Sequence, residues 1–252
     1  MSEKSFNLIP DAVNDAAKNI TELPTKSIGT TIADCWYLIF GGLSQLADKR
    51  RVKYSIELEH FKKELQESLE KVPDNNKQEP STQIVMSALD DARYCVEEEE
   101  LRKLFVNLIS SSTDSSKTVH PSFSHIIRQM SQNDAKILRE FIHTAKHPLC
   151  NLKLSSSDGG FRYINTNMFI PIYHAISDND VSVSISSLVY LGLLEIPSDR
   201  HFKDLSLYEP FKESDQYLSA CKIHPTSSLE LEHKIVQLTS LGKLFMACCV
   251  TN

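Results

Sequence analysis

The feature that most constrains the fold is the spacing of apolar residues in a charged segment near the middle of the chain. After four consecutive glutamates at 97–100, apolar side chains recur three and four positions apart, at Leu101, Leu104, Phe105, Leu108 and Ile109. This spacing puts all five side chains on one face of an α-helix. The same face continues upstream to Ile84, so the pattern predicts one long helix from Ser81 to Ile109.

The polar residues of this segment are typical of a solvated helix face. Glu98 with Arg102, and Glu99 with Lys103, have the i,i+4 spacing and order that stabilise a helix by roughly 0.3 kcal/mol per pair. No His or Cys stands beside the glutamates at ligand spacing, which argues against a metal site there. The polar run at 110–117 predicts the end of the helix.

Other parts of the first half repeat the helical spacing. Residues 49–72 present one apolar face between many charges, with Leu58, Phe61, Leu65, Leu69 and Val72. That pattern predicts a long helix paired antiparallel with another. A short amphipathic helix is expected over residues 13–20, and 73–80 is a polar loop. The sequence therefore predicts a helical bundle with long antiparallel helices over residues 1–130.

The second half mixes helical and strand patterns. Ser131 with Asp134 is typical of a helix start, and the helix it opens has an apolar face through Ala145. Strand-like residues flank SSSDGG at 155–160 and predict a hairpin. A helix ending near Gly192, a strand at 193–196, a weakly patterned excursion, a strand at 235–238 and a helix capped by Thr239 follow. This order is typical of a winged helix. The predicted fold class is mainly α with a small α+β part, and the winged-helix-like domain spans 131–252.

The most apolar segment runs from Ile28 to Ala47. Its length is close to that of a membrane span, but Asp34 near its centre costs roughly 2.5–3.5 kcal/mol on insertion scales. A polar stripe along the helix favours packing on protein, and conditional or surface association with a membrane is the alternative. We predict that a membrane or a partner is contacted by Ile32, Asp34, Trp36, Tyr37, Ile39 and Phe40.

Charge, cysteine pattern and the first residues indicate the cellular compartment and the class of partner to expect. The formal net charge is −6, and neither half of the sequence has an excess of Lys and Arg, so a nonspecific nucleic-acid binder is not expected. The six cysteines form no C-x-x-C pair and are expected to be reduced, buried thiols. The opening MSEKSFNLIP does not resemble a secretory signal. These features predict a cytoplasmic protein, with peripheral association at the inner membrane as an alternative.

The search for reactive residues finds no recognisable constellation. His143 and His147, with Cys150 nearby, have the spacing of two ligands on one helix face, but no acidic partner completes a metal motif. Histidines beside the carbonyls of a helix end are the favoured interpretation. An Arg followed by a His is also the pattern of helical defence ribonucleases. Only three residues lie between Arg139 and His143, fewer than is usual in that pattern, which argues against this activity. We therefore predict a protein that is not an enzyme and uses no cofactor or metal; an enzyme with a site of scattered polar residues is the alternative.

Several stretches resemble one protein family. They are EEEELRKLFVNLISSSTDSS at 97–116, VHPSF at 119–123, Ile126-Ile127, Ser131 with 134–138, and upstream the residues at 9–13, 24–26 and 34–37. Together they resemble the abortive-infection alpha family of bacteria, which is linked to abortive phage infection. The shared motifs are helix faces and caps, so the resemblance implies a phage-defence setting and transfers no active site.

The leading hypothesis combines the resemblance with the residue patterns. It is a non-enzymatic defence protein that acts through contact with a protein partner or a second copy of itself, with conditional membrane association as a further element. The alternative is a winged-helix regulatory or adaptor protein. DNA recognition is disfavoured because residues 181–196, which include the third helix, contain no Lys or Arg to contact phosphates or bases.

Overall fold

The computed structural model describes residues 26–40, 48–156, 158–225 and 228–251. The described chain is mainly helical and carries one four-stranded antiparallel sheet, which confirms the coarse fold class. The chain divides into two compact units, Met1–Gln129 with Ala247–Asn252, and Met130–Met246. The predicted domain limits of 1–130 and 131–252 stay a prediction. The helix predicted over residues 13–20 and the end of the apolar segment, residues 41–47, lie outside the described residues.

The first unit is built from helices. They are α1 (Lys26–Phe40), α2 (Asp48–Glu70), α3 (Thr82–Ala92), α4 (Glu99–Ser112) and α5 (Phe123–Gln129). Helix α2 packs on α4, and α3 packs on α1, α4 and α5. The predicted apolar faces of α2 and α4 are buried in these contacts, so the helical periodicity of the sequence is confirmed there. That these helices form a bundle stays a prediction.

The prediction of one continuous helix from Ser81 to Ile109 is wrong. Helix α3 ends at Ala92 and α4 begins at Glu99. In between, the amide of Cys95 donates to the carbonyl of Ala92 at 2.8 Å, a tighter turn than an α-helix makes. The carbonyl of Val96 accepts instead from Nη1 of Arg102 at 3.0 Å. A side chain thus takes the place of the backbone donor that a continuous helix would supply.

The polar end of α4 is buried rather than exposed. The helix runs three residues into the predicted loop, to Ser112. The hydroxyl of Ser110 donates to the carbonyl of Ser68 at 3.0 Å, and that of Ser111 donates to the carbonyl of Cys248 at 2.7 Å. Nδ2 of Asn107 donates to the carbonyl of Cys249 at 2.9 Å. Because each of these buried groups has a partner, polar residues can line this part of the interior.

The second unit combines helices with the sheet. Its elements are α6 (Gln132–Arg139), β1 (Lys146–Ser155), β2 (Phe161–Met168), α7 (Asp178–Tyr190), β3 (Leu194–Glu195), α8 (Asp215–Ile223), β4 (Leu229–Leu238) and α9 (Ser240–Phe245). The strand order is β2-β1-β4-β3. A capping box between Ser131 and Asp134 starts α6, and the side chain of Thr239 caps α9. Both predicted caps and the predicted hairpin between β1 and β2 are confirmed.

Two predictions for this unit need correction. The helix opened by Ser131 ends at Arg139 instead of continuing to Ala145, because the chain turns into β1 at Lys146. The segment between β3 and β4 is not featureless, since it holds a 3-10 helix (Leu205–Glu213) and α8. Tyr208 and Phe211 from that 3-10 helix share a buried core with side chains of β1, β2 and α8. Long-range packing supplies the order that local periodicity lacks.

Among the residues that the structure describes, no helix combines the length and the apolar character that crossing a membrane requires.

Candidate interaction surface

The candidate surface is organised by a buried carboxylate. Glu140 immediately follows α6, where its backbone amide still closes the last turn onto the carbonyl of Ile137. Its side chain points into the second unit, and the residue is only 1% exposed. A carboxylate buried without partners would cost several kcal/mol, so its hydrogen bonds reveal what the fold uses it for.

Among the described residues, the hydrogen-bond partners of this carboxylate all belong to one loop. Oε2 of Glu140 accepts from the backbone amide of Ile172 at 2.8 Å, and Oε1 accepts from that of Tyr173 at 3.0 Å. Nδ1 of His174 lies 2.8 Å from Oε1 as well. These bonds hold the backbone at Ile172 and Tyr173 and the imidazole ring of His174. We call residues 169–174 the Glu140 loop.

The start of the Glu140 loop is held by aromatic packing. The ring of Phe169 lies 6.2 Å from that of Phe141 and 5.5 Å from that of His147, and all three residues are buried. Nε2 of His147 lies 2.9 Å from the carbonyl oxygen of Glu140. Burial lowers the pKa of His147, which favours the neutral ring. The carboxylate and this packing together fix both ends of the loop.

The geometry turns apolar side chains outward. Because the amides of Ile172 and Tyr173 point at the buried carboxylate, their side chains face solvent, with 67% and 58% of their surface exposed. Ile170 in the same loop is also exposed. Exposed apolar clusters in a fixed conformation are typical of contact surfaces. Chemically, the exposed side chains of the loop offer apolar and aromatic area, with the hydroxyl of Tyr173 as their polar group.

A second polar cluster ties the strands of the sheet together. Glu232 on β4 accepts from Nζ of Lys153 at 2.9 Å, Nδ2 of Asn151 at 2.8 Å and the hydroxyl of Tyr163 at 3.0 Å. Partial burial alone would raise the pKa of Glu232, but these donors lower it to about 2. Oδ1 of Asn151 also accepts from the amide of Asn167, which adopts a positive φ of 54°. Every member of the cluster has partners, which indicates a structural tie.

The exposed face of α7 has a different character. It consists of Asn179, Val183, Ser186 and Tyr190. No Lys or Arg occurs anywhere in this helix, and its first turn carries Asp178 and Asp180. Such a face has no cationic side chain to pair with a phosphate and carries negative charge at one end.

The residues predicted to contact a membrane or a partner divide into two groups on α1. Ile32, Trp36 and Phe40 are fully buried, and the Trp36 ring lies 4.6 Å from that of Phe40 and 5.5 Å from that of Phe61. Asp34 and Tyr37 are exposed, and Ile39 is partly buried. The structure brings the first group together in the interior. The contact with a membrane or a partner stays a prediction. Of the six residues, Asp34, Tyr37 and Ile39 are accessible for such a contact.

The histidines weighed as metal ligands do not share a helix. His143 lies in the turn after α6, whereas His147 and Cys150 belong to β1. The spacing argument fails because the helix ends before either histidine. The contact of His147 with the Glu140 carbonyl confirms the alternative interpretation for that residue. Burial raises the pKa of the Cys150 thiol to about 12. Across the described ranges, no three His, Cys, Asp or Glu residues are grouped in a way that could hold a metal.

The Glu140 loop was missed in the sequence. Its signals were an apolar run broken by Pro171 and a lone glutamate after a capped helix, and neither is specific. The contact is between residues more than thirty positions apart, and such pairs leave no periodic pattern.

The fold and this surface define a mainly helical protein with an antiparallel sheet and an outward-facing apolar loop. The family model described as Abortive infection alpha matches residues 53–249 of the chain. The chain therefore belongs to the Abortive infection alpha family. No curated protein and no solved structure matches it. The match includes every strand of the sheet and the whole Glu140 loop.

Proposed function

We propose that the protein is a non-enzymatic component of abortive phage defence that acts by contacting another protein through the Glu140 loop. Membership of the Abortive infection alpha family supports the defence role. The observation that supports a protein contact is the buried Glu140 carboxylate, which fixes the loop from which Ile172 and Tyr173 project.

The fixed backbone matters for affinity. A flexible loop would lose conformational entropy on binding, about 0.5–1.5 kcal/mol for each immobilised side chain and more for the backbone. In the Glu140 loop, the backbone amides of Ile172 and Tyr173 are already hydrogen-bonded to Glu140, so part of the backbone entropy is lost before binding. Exposed Ile170, Ile172 and Tyr173 carry no charge, so the matching partner surface is apolar, as in the centre of protein interfaces.

A phage challenge tests this proposal. The loop variant replaces Ile172 and Tyr173 by Ser, and the matched control replaces Val183 and Tyr190 on α7, which are 67% and 84% exposed, by Ser. Both variants remove one aliphatic and one aromatic side chain from the surface. In bacteria expressing each protein, the loop variant is expected to lose the wild-type effect on phage yield and the control to keep it. A loop variant with wild-type activity would contradict the proposal.

We also propose that the second unit is a winged-helix-like domain used for protein contact. The order β1-β4-β3, with α7 leading into β3 and a long excursion between β3 and β4, supports this topology. The uncharged face of α7 and its acidic first turn support a role other than DNA reading. A gel-shift titration at low salt is expected to give no complex with duplex DNA. A salt-sensitive complex would favour the DNA-binding alternative.

A second candidate function is conditional association with a membrane surface through α1. It is favoured by the exposure of Leu38 and Tyr37, at 69% and 49%, beside the exposed Asp34. The test is cosedimentation with vesicles of phosphatidylethanolamine and phosphatidylglycerol. Asp34→Leu is expected to increase the bound fraction, whereas Asp199→Leu, which removes an exposed charge in the second unit, is not. Equal sedimentation of both variants would exclude α1 as the membrane contact.

A further inference from the structure

Strand β2 forms one edge of the sheet. In the strand order β2-β1-β4-β3, β1 is its one neighbour among the described strands. An edge strand presents backbone N–H and C=O groups that no other strand pairs with. Phe161, Arg162 and Tyr163 at the start of β2 are all exposed, so neither face of this part of the strand is covered. We call these three residues the β2 edge.

The hydrogen-bond pattern identifies the backbone groups that point away from β1. In an antiparallel ladder, residues that bond to the partner strand alternate with residues whose N–H and C=O groups point away from it. The amide of Ser156 donates to the carbonyl of Gly160 at 2.8 Å, so Gly160 bonds inward. The pairs that follow are Ser155 with Phe161, Leu154 with Arg162, and Lys153 with Tyr163. By this alternation, the backbone groups of Phe161 and Tyr163 point outward.

The side chains of these two outward-pointing residues are held in place. The rings of Phe161 and Tyr163 lie 5.6 Å apart in an edge-to-face arrangement. Nζ of Lys153 lies 5.0 Å from the centre of the first ring and 5.8 Å from that of the second. The hydroxyl of Tyr163 also donates to Glu232 at 3.0 Å. Because these aromatic side chains are already ordered, an added strand would pack against them at a reduced entropic cost.

The charge of the β2 edge comes from Arg162. It is the one charged residue of β2, and no carboxylate pairs with it in the part of the chain that the structure describes. Oppositely charged side chains that face each other across two strands contribute about 0.2–1 kcal/mol, whereas like charges there are destabilising. A partner strand therefore matches this edge best when an Asp or Glu lies opposite Arg162.

The same arginine disfavours a second copy of the chain as the partner. A symmetric antiparallel pairing of two β2 edges that uses both outward-pointing residues places Phe161 of one copy opposite Tyr163 of the other. Arg162 then lies directly opposite its counterpart, in a pair whose Cα atoms are about 4.5 Å apart. A charge placed in this way on an edge strand is a known means of preventing edge-to-edge association.

We propose that the β2 edge binds an extended segment of another protein, which adds an antiparallel strand to the sheet. The segment carries an acidic residue opposite Arg162 and apolar residues opposite Phe161 and Tyr163. In this mode of recognition, backbone hydrogen bonds supply affinity and the alternating side chains supply specificity. The β2 edge shares no residue with the Glu140 loop, so the inference goes beyond the proposed function and does not depend on it.

The test is an NMR titration of the isotope-labelled full chain with the peptide acetyl-Ser-Thr-Val-Glu-Val-Thr-Ser-amide. Wild-type protein is expected to bind it saturably, with shifts at the amides of Phe161 and Tyr163. The same peptide methylated on both valine nitrogens cannot donate to the edge and is expected to bind at least tenfold more weakly. The peptide with Lys in place of Glu is expected to bind at least threefold more weakly. Arg162→Glu is expected to reverse the preference between the Glu and Lys peptides.

A second variant tests the backbone contribution. Phe161→Pro removes an outward-pointing N–H that β1 does not use, and the matched Phe161→Ala loses the same ring but keeps that N–H. Phe161→Pro is expected to bind the Glu peptide at least fivefold more weakly than Phe161→Ala, with the signals of β1 unchanged. If the proline disturbs β1, the reversal in Arg162→Glu decides the question.

The proposal is overturned if wild-type protein does not bind the Glu peptide, or binds the methylated or Lys peptide equally well. It is also overturned if Arg162→Glu keeps the wild-type preference. A wild-type dimer in analytical ultracentrifugation that Phe161→Pro dissociates would contradict it as well, because the partner at this edge would then be a second copy of the chain.

Discussion

Nη2 of Arg102 on α4 lies 3.0 Å from Oε1 of Glu64 on α2, and Nε of the same guanidinium lies 3.1 Å from the other oxygen of that carboxylate. This is a bidentate pair, the strongest common geometry for an ion pair between side chains. Nη1 of Arg102 also donates to Glu57 at 2.7 Å. Arg102 is only 5% exposed, so one guanidinium joins the two helices from the inside.

Replacing this arginine tests its role in the first unit. Arg102→Met leaves Glu57 and Glu64 without their cation and is expected to lower the free energy of unfolding by about 3 kcal/mol. Lys103→Met is the matched control, because Lys103 pairs with Glu99 on the exposed side of α4; the expected loss is about 0.3 kcal/mol. Urea unfolding measures both values. Similar losses for the two variants would show that the buried pair contributes little.

Arg102 also illustrates what the sequence could predict. The spacing predicted pairs of Glu99 with Lys103 and of Glu98 with Arg102, and only the first is observed. Helix faces and caps were predictable because the residues that determine them are within four positions of each other. The partner of Arg102 is about forty positions away, and its bond to the Val96 carbonyl also ends the predicted long helix.

The candidate surface was less predictable because its contacts join residues that are far apart in the sequence. Local sequence rules determine the strands of the hairpin and the helix caps at Ser131 and Thr239. These features were therefore predicted correctly from the sequence. The Glu140 loop depends on a carboxylate that reaches residues 172–174 only after α6, β1 and β2 have packed. In α1, the apolar residues Ile32 and Trp36 were assigned to an external contact, and the fold buries them.

The contact between α9 and the residue before β3 gives a second prediction. Gly242 lies so close to Leu193 that an added Cβ would be 2.0 Å from its carbonyl oxygen. Gly242→Ala must displace backbone and is expected to destabilise the second unit by about 3 kcal/mol. In Gly160→Ala, the matched control, the new Cβ meets only the flexible Asp158 side chain at 3.3 Å, so a loss below about 1 kcal/mol is expected. Thermal unfolding of both variants checks this, and a stable Gly242→Ala protein would refute the close packing.

The Glu232 cluster predicts a dependence of stability on pH. The folded pKa of Glu232 is about 2, below its ordinary value of 4.5. Its contribution to stability is therefore fully present above pH 4.5 and is lost as the pH falls towards 2. Urea titrations across this window are expected to show a shallower fall in the free energy of unfolding for Glu232→Gln than for wild type. Glu209→Gln, outside the cluster, is expected to keep the wild-type slope, and equal slopes for all three proteins would contradict the prediction.

The most direct test of the account is amide hydrogen exchange at Ile172 and Tyr173. If the buried Glu140 carboxylate holds the loop, both amides are protected in the wild-type protein. In Glu140→Gln, where the side-chain nitrogen cannot accept a hydrogen bond and one oxygen remains, protection of at least one of these two amides is expected to fall tenfold or more. The amides of α2 are expected to retain theirs. Rapid exchange of both loop amides in the wild-type protein, or unchanged protection in Glu140→Gln, would contradict the central claim that this carboxylate fixes the contact loop.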